Sequence, residues 1–185
     1  MSGRKLLLHE KGSGKMKTDR EFYTVRGYQM LNSEKKILTS SLEDYLEMIY
    51  RTCMDDGYAR INRLSAKLNV RPSSATKIVQ KLCELGLVDY QKYGIIRLTE
   101  DGKVLGEFLL KRHEIIQEFL KNLGIKDTLL KDTELIEHDV SRGALKAIYS
   151  LNKFLSDNPR VKSQYEAYRK EFFKVKNQIF DGEGE

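Results

Sequence analysis

Residues 59–86, "ARINRLSAKLNVRPSSATKIVQKLCELG", decide the fold. The first half reads as a short amphipathic helix and the second as another, separated by the tight turn "LNVRP". Pro72 suits a first helical turn, where its missing N–H costs nothing, and Gly86 suits the position just past a helix end. Two short helices joined this closely form a helix-turn-helix. The following residues, "LVDYQKYGIIRLTEDG" (87–102), alternate in the manner of strands and turn around Gly94. Two short strands with a basic tip, directly after a helix-turn-helix, describe a wing.

Upstream, "TSSLEDYLEMIYRTCMDDG" (39–57) is a helix whose apolar stripe is Leu42, Tyr45, Leu46, Ile49 and Tyr50. Ser40 and Glu43 match a capping box at its start, and Gly57 ends it. Cys83, in the second helix of the motif, is expected on the inner, core-packing side. Downstream, a long helix runs from Glu100 to about Asn122, with Thr99 to cap it and Gly124 to close it. Asp127 can cap the helix that contains "DTELIEHDV" (132–140), and Ser141 can start the next. In "NPRVKSQYEAYRKEFFKVKNQIF" (158–180), Val161, Tyr165, Tyr168, Phe172, Val175 and Ile179 recur at steps of four and three. A helix over roughly 159–179 therefore packs one narrow stripe against a partner.

The expected architecture is mainly α: a winged helix-turn-helix over 39–99, an all-helical domain over 100–157, and a C-terminal helix and tail over 158–185. Residues 1–38 have weak periodicity and many charges, and read as a basic, flexible arm. Within it "KGSGKM" (11–16), whose codons would resemble a ribosome-binding site, makes Met16 a candidate native start.

Of the 185 residues, 32% are charged and 40% hydrophobic, the balance of a folded protein rather than a disordered one. No apolar run is long enough to cross a bilayer, and "KLLLH" (5–9) is too short for the core of a signal peptide. Cys53 and Cys83 form no CxxC pair and suggest no disulfide framework, which points to a reducing, cytoplasmic setting. The net charge of +6 is unevenly spread. Residues 58–98 hold eight Lys/Arg against two Asp/Glu, whereas residues 127–140 hold one against five. A basic middle beside an acidic later segment implies two different binding tasks.

The basic segment suits double-stranded DNA. A recognition helix enters the major groove with its N-terminal residues toward the base edges. Here that end carries Arg71, Pro72, Ser73, Ser74, Thr76 and Lys77, with Gln80 and Lys81 one turn on. Small hydroxyl residues allow close approach, Gln80 can hydrogen-bond base edges, and Arg71, Lys77 and Lys81 can meet phosphates or guanine. Lys92 on the wing, with Arg97 nearby, adds phosphate contacts. A protein-binding winged helix could carry the same basic face, with DNA affinity absent or insensitive to salt.

In the acidic segment Glu134, Glu137 and His138 stand at i, i+3 and i+4, so on a helix they share a face. Carboxylates held close together repel and raise each other's pKa unless a cation lies between them. Asp44 and Glu47, at i and i+3 of the first helix, also share a face. A solvated acidic surface accounts for either group alone. "HEIIQ" (113–117) approaches the zinc-protease pattern HExxH, but Gln117 replaces the second histidine.

In order along the chain, "SLEDYLEMIY", "PSSATKIVQKL", "RHEIIQEFL" and "IEHDVS" resemble the diphtheria-toxin-repressor family of metal-dependent regulators, and within it the manganese branch. The resemblance covers about residues 39–155. It implies a winged-helix DNA-binding domain, an all-helical dimerisation and metal-binding domain, and a homodimer. It implies metal ligands at Asp44, Glu47, His113, Glu134, Glu137 and His138. The four negative charges could balance two divalent ions, so two ions per subunit are expected, with Glu134 or Glu137 bridging. Four carboxylates and two imidazoles without a thiolate suit Mn2+ or Fe2+ rather than structural zinc. In the family's iron-responsive branch a methionine and a cysteine stand at the places of Asp44 and Glu134, which favours Mn2+. Gln117 stands where that branch has a further carboxylate ligand, and the family's optional SH3-like third domain is not expected here.

The expected function is a Mn2+-responsive regulator, with Fe2+ as the second candidate, that represses metal-uptake genes. Its metal would clamp the two domains and fix a homodimer for operator binding. A winged-helix regulator of the MarR kind, sensing a small organic ligand, is the alternative. A di-metal hydrolase or oxidase would need a nucleophile or substrate-positioning groups, which do not accompany these acids.

Overall fold

The structure, a computed structural model, describes Gly27 and residues 38–180. Except for Gly27 and Leu38, the expected arm and its Met16 lie outside the described residues, as do residues 181–185.

Helix α1 (Ser40–Asp56) begins at Thr39, whose hydroxyl accepts from the Leu42 N–H at 3.4 Å, and ends at Gly57 in the left-handed region. The cap is thus Thr39, one residue before the expected Ser40. Glu43 does not reach back to the helix start; its side chain turns inward. Strand β1 (Ala59–Arg60) follows, so the helix expected from residue 59 starts two residues later as α2 (Ile61–Lys67). The extended backbone at Arg60 lets Ala59 and Arg60 pair with Ile96 and Ile95.

Helix α3 (Pro72–Glu84) has Pro72 in its first turn, as expected, and buries Ala75, Val79 and Leu82. Cys83 is exposed, contrary to the inner position expected for it. One residue beyond Leu82, it lies about 100° around the helix from that buried face. Strands β2 (Val88–Gln91) and β3 (Ile95–Leu98) form the wing, joined by a short 3-10 turn at Lys92–Gly94. The sheet is antiparallel in the order β1-β3-β2, with Val88 opposite Leu98 and Tyr90 opposite Ile96.

The long helix α4 (Glu100–Leu123) is capped by Thr99, which accepts from the Gly102 N–H at 3.0 Å, and is closed by Gly124. The Thr99 hydroxyl also donates toward the carbonyls of Gly86 and Leu87, tying α4 to the end of the recognition helix. Two glycines allow α4 to lie close to the winged helix. A Cβ on Gly106 would stand 2.6 Å from Tyr50 Cβ, and one on Gly102 would collide with the Leu87 carbonyl. The resulting α1–α4 contact carries the core, including Leu46, Ile49, Leu105, Phe108 and Leu109.

Helices α5 (Leu129–Glu137), α6 (Arg142–Asp157) and α7 (Pro159–Phe180) complete the architecture. Helix α5 starts at Thr128 rather than at a cap on Asp127, and the Thr128 hydroxyl donates to Asp132 at 2.6 Å. Ser141 caps α6 as expected. Buried Asn152 ties α6 to α4 by accepting from Asn122 at 3.1 Å and donating to the Ile115 carbonyl at 2.8 Å. On α7, Arg169 donates to the Leu123 carbonyl at 2.9 Å, but Val161, Tyr168 and Phe172 of the expected stripe are exposed within the protomer. No helix among the described residues is long and apolar enough to cross a membrane.

Candidate metal centre

Three helices supply the centre. Glu43 and Glu47 lie on the buried side of α1 with half-exposed Asp44 at its edge, Arg112 and His113 on α4, and Glu134 and Glu137 on α5. His138 directly follows α5 with its backbone still helical. The α1–α4 approach permitted at Gly106 brings the acids of the winged helix against the histidine of the second domain.

The ligand atoms fall into two groups. Atoms of Asp44, Glu137 and His138 lie within 4.8 Å of one another, and so do atoms of Glu47, His113 and Glu137. Glu137, only 2% exposed, belongs to both. Its Oε2 lies 2.9 Å from His113 Nδ1, and its Oε1 lies 3.8 Å from His138 Nε2. His138 Nε2 is also 3.2 Å from Asp44 Oδ1. Five of the six expected ligands are therefore brought together. Glu134 is exposed and enters neither group, although its charge still reaches Asp44.

The electrostatics are those of acids short of a cation. Burial pushes the Asp44 carboxyl above its usual range; His138 opposes this, and the charges of Glu137, Glu134 and Glu43 add to it. Burial likewise raises Glu47, against the opposing effect of Arg51, which donates to it at 2.6 Å and 3.0 Å. The His113 imidazole is raised chiefly by its hydrogen bond to Glu137, with burial opposing. The raised Asp44 and Glu47 ionise at a cost beside their neighbours, and a divalent ion among them would offset it. Hard oxygen donors with two imidazoles and no thiolate form a donor set that fits such an ion.

Two residues of the centre escape the sequence reading. Buried Glu43 accepts from Arg112 Nη2 at 2.7 Å, and its Oε2 lies 2.7 Å from His138 Nδ1. The available signal was the i, i+4 spacing of Glu43 and Glu47, which places both on the side of α1 that faces α4. Asp132 and Asp139 stay out of the centre: Asp132 accepts from Thr128, and Asp139 is exposed.

On the winged helix, Arg71, Pro72, Ser73, Ser74, Lys77, Gln80, Lys81 and Lys92 are all exposed. Thr76 is half-buried and its hydroxyl donates to the Pro72 carbonyl at 2.9 Å, while Lys81 pairs with Glu84 at 2.9 Å. The first turn of α3 and the wing tip thus present an accessible face of hydroxyl, amide and cationic groups.

The family model of the iron-dependent repressor N-terminal DNA-binding domain matches residues 37–96, and that of the iron-dependent repressor metal-binding and dimerisation domain matches residues 99–166. The chain belongs to the diphtheria-toxin-repressor family of iron-dependent repressors. As a member it is a metal-dependent, DNA-binding transcriptional regulator and not an enzyme. The HTH-type transcriptional regulator MntR of Oceanobacillus iheyensis is 44% identical over 126 residues, 67% of this chain and 86% of that protein. MntR of Lysinibacillus sphaericus is 38% identical over 130 residues, 70% of this chain and 94% of that protein. Among solved structures, the manganese regulator SloR superposes with a TM-score of 0.54 at 30% identity, over 62% of this chain. The match covers 53% of the SloR chain, so this protein spans about half its length.

Proposed function

We propose that this chain is a Mn2+-responsive repressor of metal-uptake genes that acts in the cytoplasm as a homodimer on double-stranded operator DNA. Fe2+ is the second candidate ion. The observation that carries the reading is Glu137, a buried carboxylate standing between two groups of ligand atoms. Each group takes one acid from the winged helix, Asp44 or Glu47, and one imidazole from the second domain, His138 or His113.

A divalent cation would supply, when bound, positive charge that offsets the carboxylates of Asp44, Glu47 and Glu137. Asp44 and Glu47 ride on α1, which packs against both the recognition helix and α4. Held toward His113 and His138, these acids fix the angle between winged helix and second domain. Left to repel one another, they favour looser arrangements. Two groups of ligand atoms support two ions per subunit with Glu137 shared, and Glu134, exposed beside Asp44, turns in as the sixth ligand. The relatives named for manganese regulation weigh toward Mn2+.

Large apolar side chains exposed on the last three helices, among them Leu135, Tyr149, Phe154 and Phe172, support a homodimer built on those helices. A dimeric reader needs its two recognition helices about 34–36 Å apart, or a multiple of that, to meet successive major grooves. Arg71, Ser73, Ser74, Thr76, Lys77, Gln80 and Lys81 are the residues assigned to the major groove, with Pro72 shaping the turn and Lys92 at a phosphate.

The test is an anisotropy titration of labelled DNA from upstream of metal-uptake genes, with Mn2+, Fe2+, Co2+ or Zn2+ and without metal. The expected result is tight binding only with metal, lost in Glu137→Ala and His138→Ala. Metal-independent binding, unchanged in both variants, overturns the reading.

A further inference from the structure

Glu43 stands beside the metal centre without belonging to either group of ligand atoms, and it is only 8% exposed. Its Oε2 meets Arg112 Nη2 at 2.7 Å and His138 Nδ1 at 2.7 Å. The other ring nitrogen of His138, Nε2, faces the centre, 3.2 Å from Asp44 Oδ1 and 3.8 Å from Glu137 Oε1. We propose that Glu43, anchored by Arg112, is a positioning residue that selects the His138 tautomer with its proton on Nδ1 and its lone pair on Nε2. One ligand atom of the centre is thereby aimed before any ion arrives. The proposal rests on the reading of Asp44, Glu137 and His138 as metal ligands.

The hydrogen-bond roles follow from chemistry. An ionised carboxylate can only accept, so a 2.7 Å contact from Glu43 Oε2 to His138 Nδ1 requires the proton on Nδ1. Arg112 Nη2 also lies 3.4 Å from that nitrogen. Donation by the guanidinium to Nδ1 would move the ring proton to Nε2, but the contact is long and Arg112 already donates to the Glu43 carboxylate at 2.7 Å. Charge-assisted donation to the carboxylate is the stronger bond.

Removing Glu43 reverses the preference. A neutral imidazole in water favours the proton on Nε2, and in this ring that proton would point at Asp44 and Glu137 instead of a lone pair. The bond made by one ring nitrogen decides what the other can coordinate. Arg112 adds a second effect. It balances the Glu43 charge and occupies its oxygen, so Glu43 does not compete as a ligand. Because Glu43 lies on α1 and Arg112 on α4, the pair also joins the two domains without an ion.

The experiment uses the full chain. Long-range proton–nitrogen NMR of the metal-free protein, with His138 assigned by comparison with His138→Gln, reads the tautomer directly. In the neutral ring the wild type is expected to carry its proton on Nδ1 and a bare Nε2. Glu43→Leu is expected to shift His138 toward the Nε2-protonated form and to lower Mn2+ affinity, read by electron paramagnetic resonance of free Mn2+, by roughly 10–100-fold. Glu43→Gln, whose amide oxygen still accepts from Nδ1, is expected to keep the tautomer and recover most of the affinity. A neutral wild-type ring that keeps its proton on Nε2 overturns the proposal, and this spectrum decides it even where Glu43→Leu fails to fold. Wild-type Mn2+ binding that Glu43→Leu leaves unchanged overturns the positioning role alone. No Mn2+ binding by the wild type removes the metal reading and this proposal with it.

Discussion

His113 Nδ1 lies 2.9 Å from Glu137 Oε2 across the contact between α4 and α5, and both side chains are almost fully buried. A hydrogen bond at this distance needs a proton between the two atoms, and an ion held by the same atoms would have to take its place. If these residues hold the ion as proposed, displacing that proton would be part of loading the centre.

Glu137→Gln keeps the volume of the shared residue but removes its charge from both groups of ligand atoms. Mn2+ affinity is expected to fall by more than the roughly 10–100-fold typical of an outer hydrogen-bonding partner. Glu134→Gln, at an exposed position outside both groups, is expected to cost less. Titration of each variant against free Mn2+ checks this, and equal losses would refute the idea that Glu137 alone is shared.

The pH dependence has a definite sign. Asp44, Glu47 and His113 all have folded-state pKa values above their ordinary 3.8, 4.5 and 6.5. A group raised in the folded state holds its proton more tightly there than in the unfolded chain, so its contribution is present below the unfolded value and is lost as pH rises through the folded one. The metal-free protein should therefore lose stability as pH climbs through the raised carboxyl values and on past 6.5, where His113 gives up its proton. Mn2+ replaces those protons, so the gain in Tm on adding Mn2+ should grow over the same window. Melting curves with and without Mn2+ between pH 5.5 and 8 measure it; a gain independent of pH counts against proton displacement.

The winged helix is legible in the sequence because its buried positions follow local periods. Ala75, Val79 and Leu82 give α3 an inner face that needs no knowledge of the rest. Phase matters at the edge of such a stripe, and Cys83, one residue on, faces solvent. The acids are legible as pairs sharing a helix face; the family resemblance, rather than spacing, joins them into one centre. Glu43 is hidden for a physical reason: three residues after Ser40 it fits an ordinary helix start, while its real partner Arg112 lies 69 residues away. The apolar stripe of α7 is legible too, but periodicity says which face is apolar and not which surface meets it.

The exposed basic face makes two separable forecasts for DNA binding. Lys92→Ala is expected to weaken binding about equally across DNA sequences and to reduce the salt slope by about 1, as loss of one phosphate contact does. Gln80→Ala is expected to cost about 1–3 kcal/mol on the operator and almost nothing on unrelated DNA. Binding curves at several salt concentrations, on operator and scrambled duplexes, distinguish the two; a uniform effect from Gln80→Ala would remove it from the base edges.

Gly106 lies where α4 crosses α1, and a Cβ there would stand 2.6 Å from Tyr50 Cβ and 2.9 Å from Tyr50 Cγ. The backbone-proximal atoms of Tyr50 cannot swing aside, so Gly106→Ala must push the helices apart, at about 1–3 kcal/mol of stability. The same displacement draws Asp44 and Glu47 away from His113 and His138, so the Mn2+ concentration at half-saturation is expected to rise as well. Gly102→Ala is the control. It meets the Leu87 carbonyl at the root of the wing, one turn of α4 further from the centre. A comparable loss of Tm in Gly102→Ala with an unchanged Mn2+ midpoint would show that the α1–α4 distance, and not stability in general, sets the metal response. A Mn2+ midpoint raised equally in both variants would instead detach the centre from that distance.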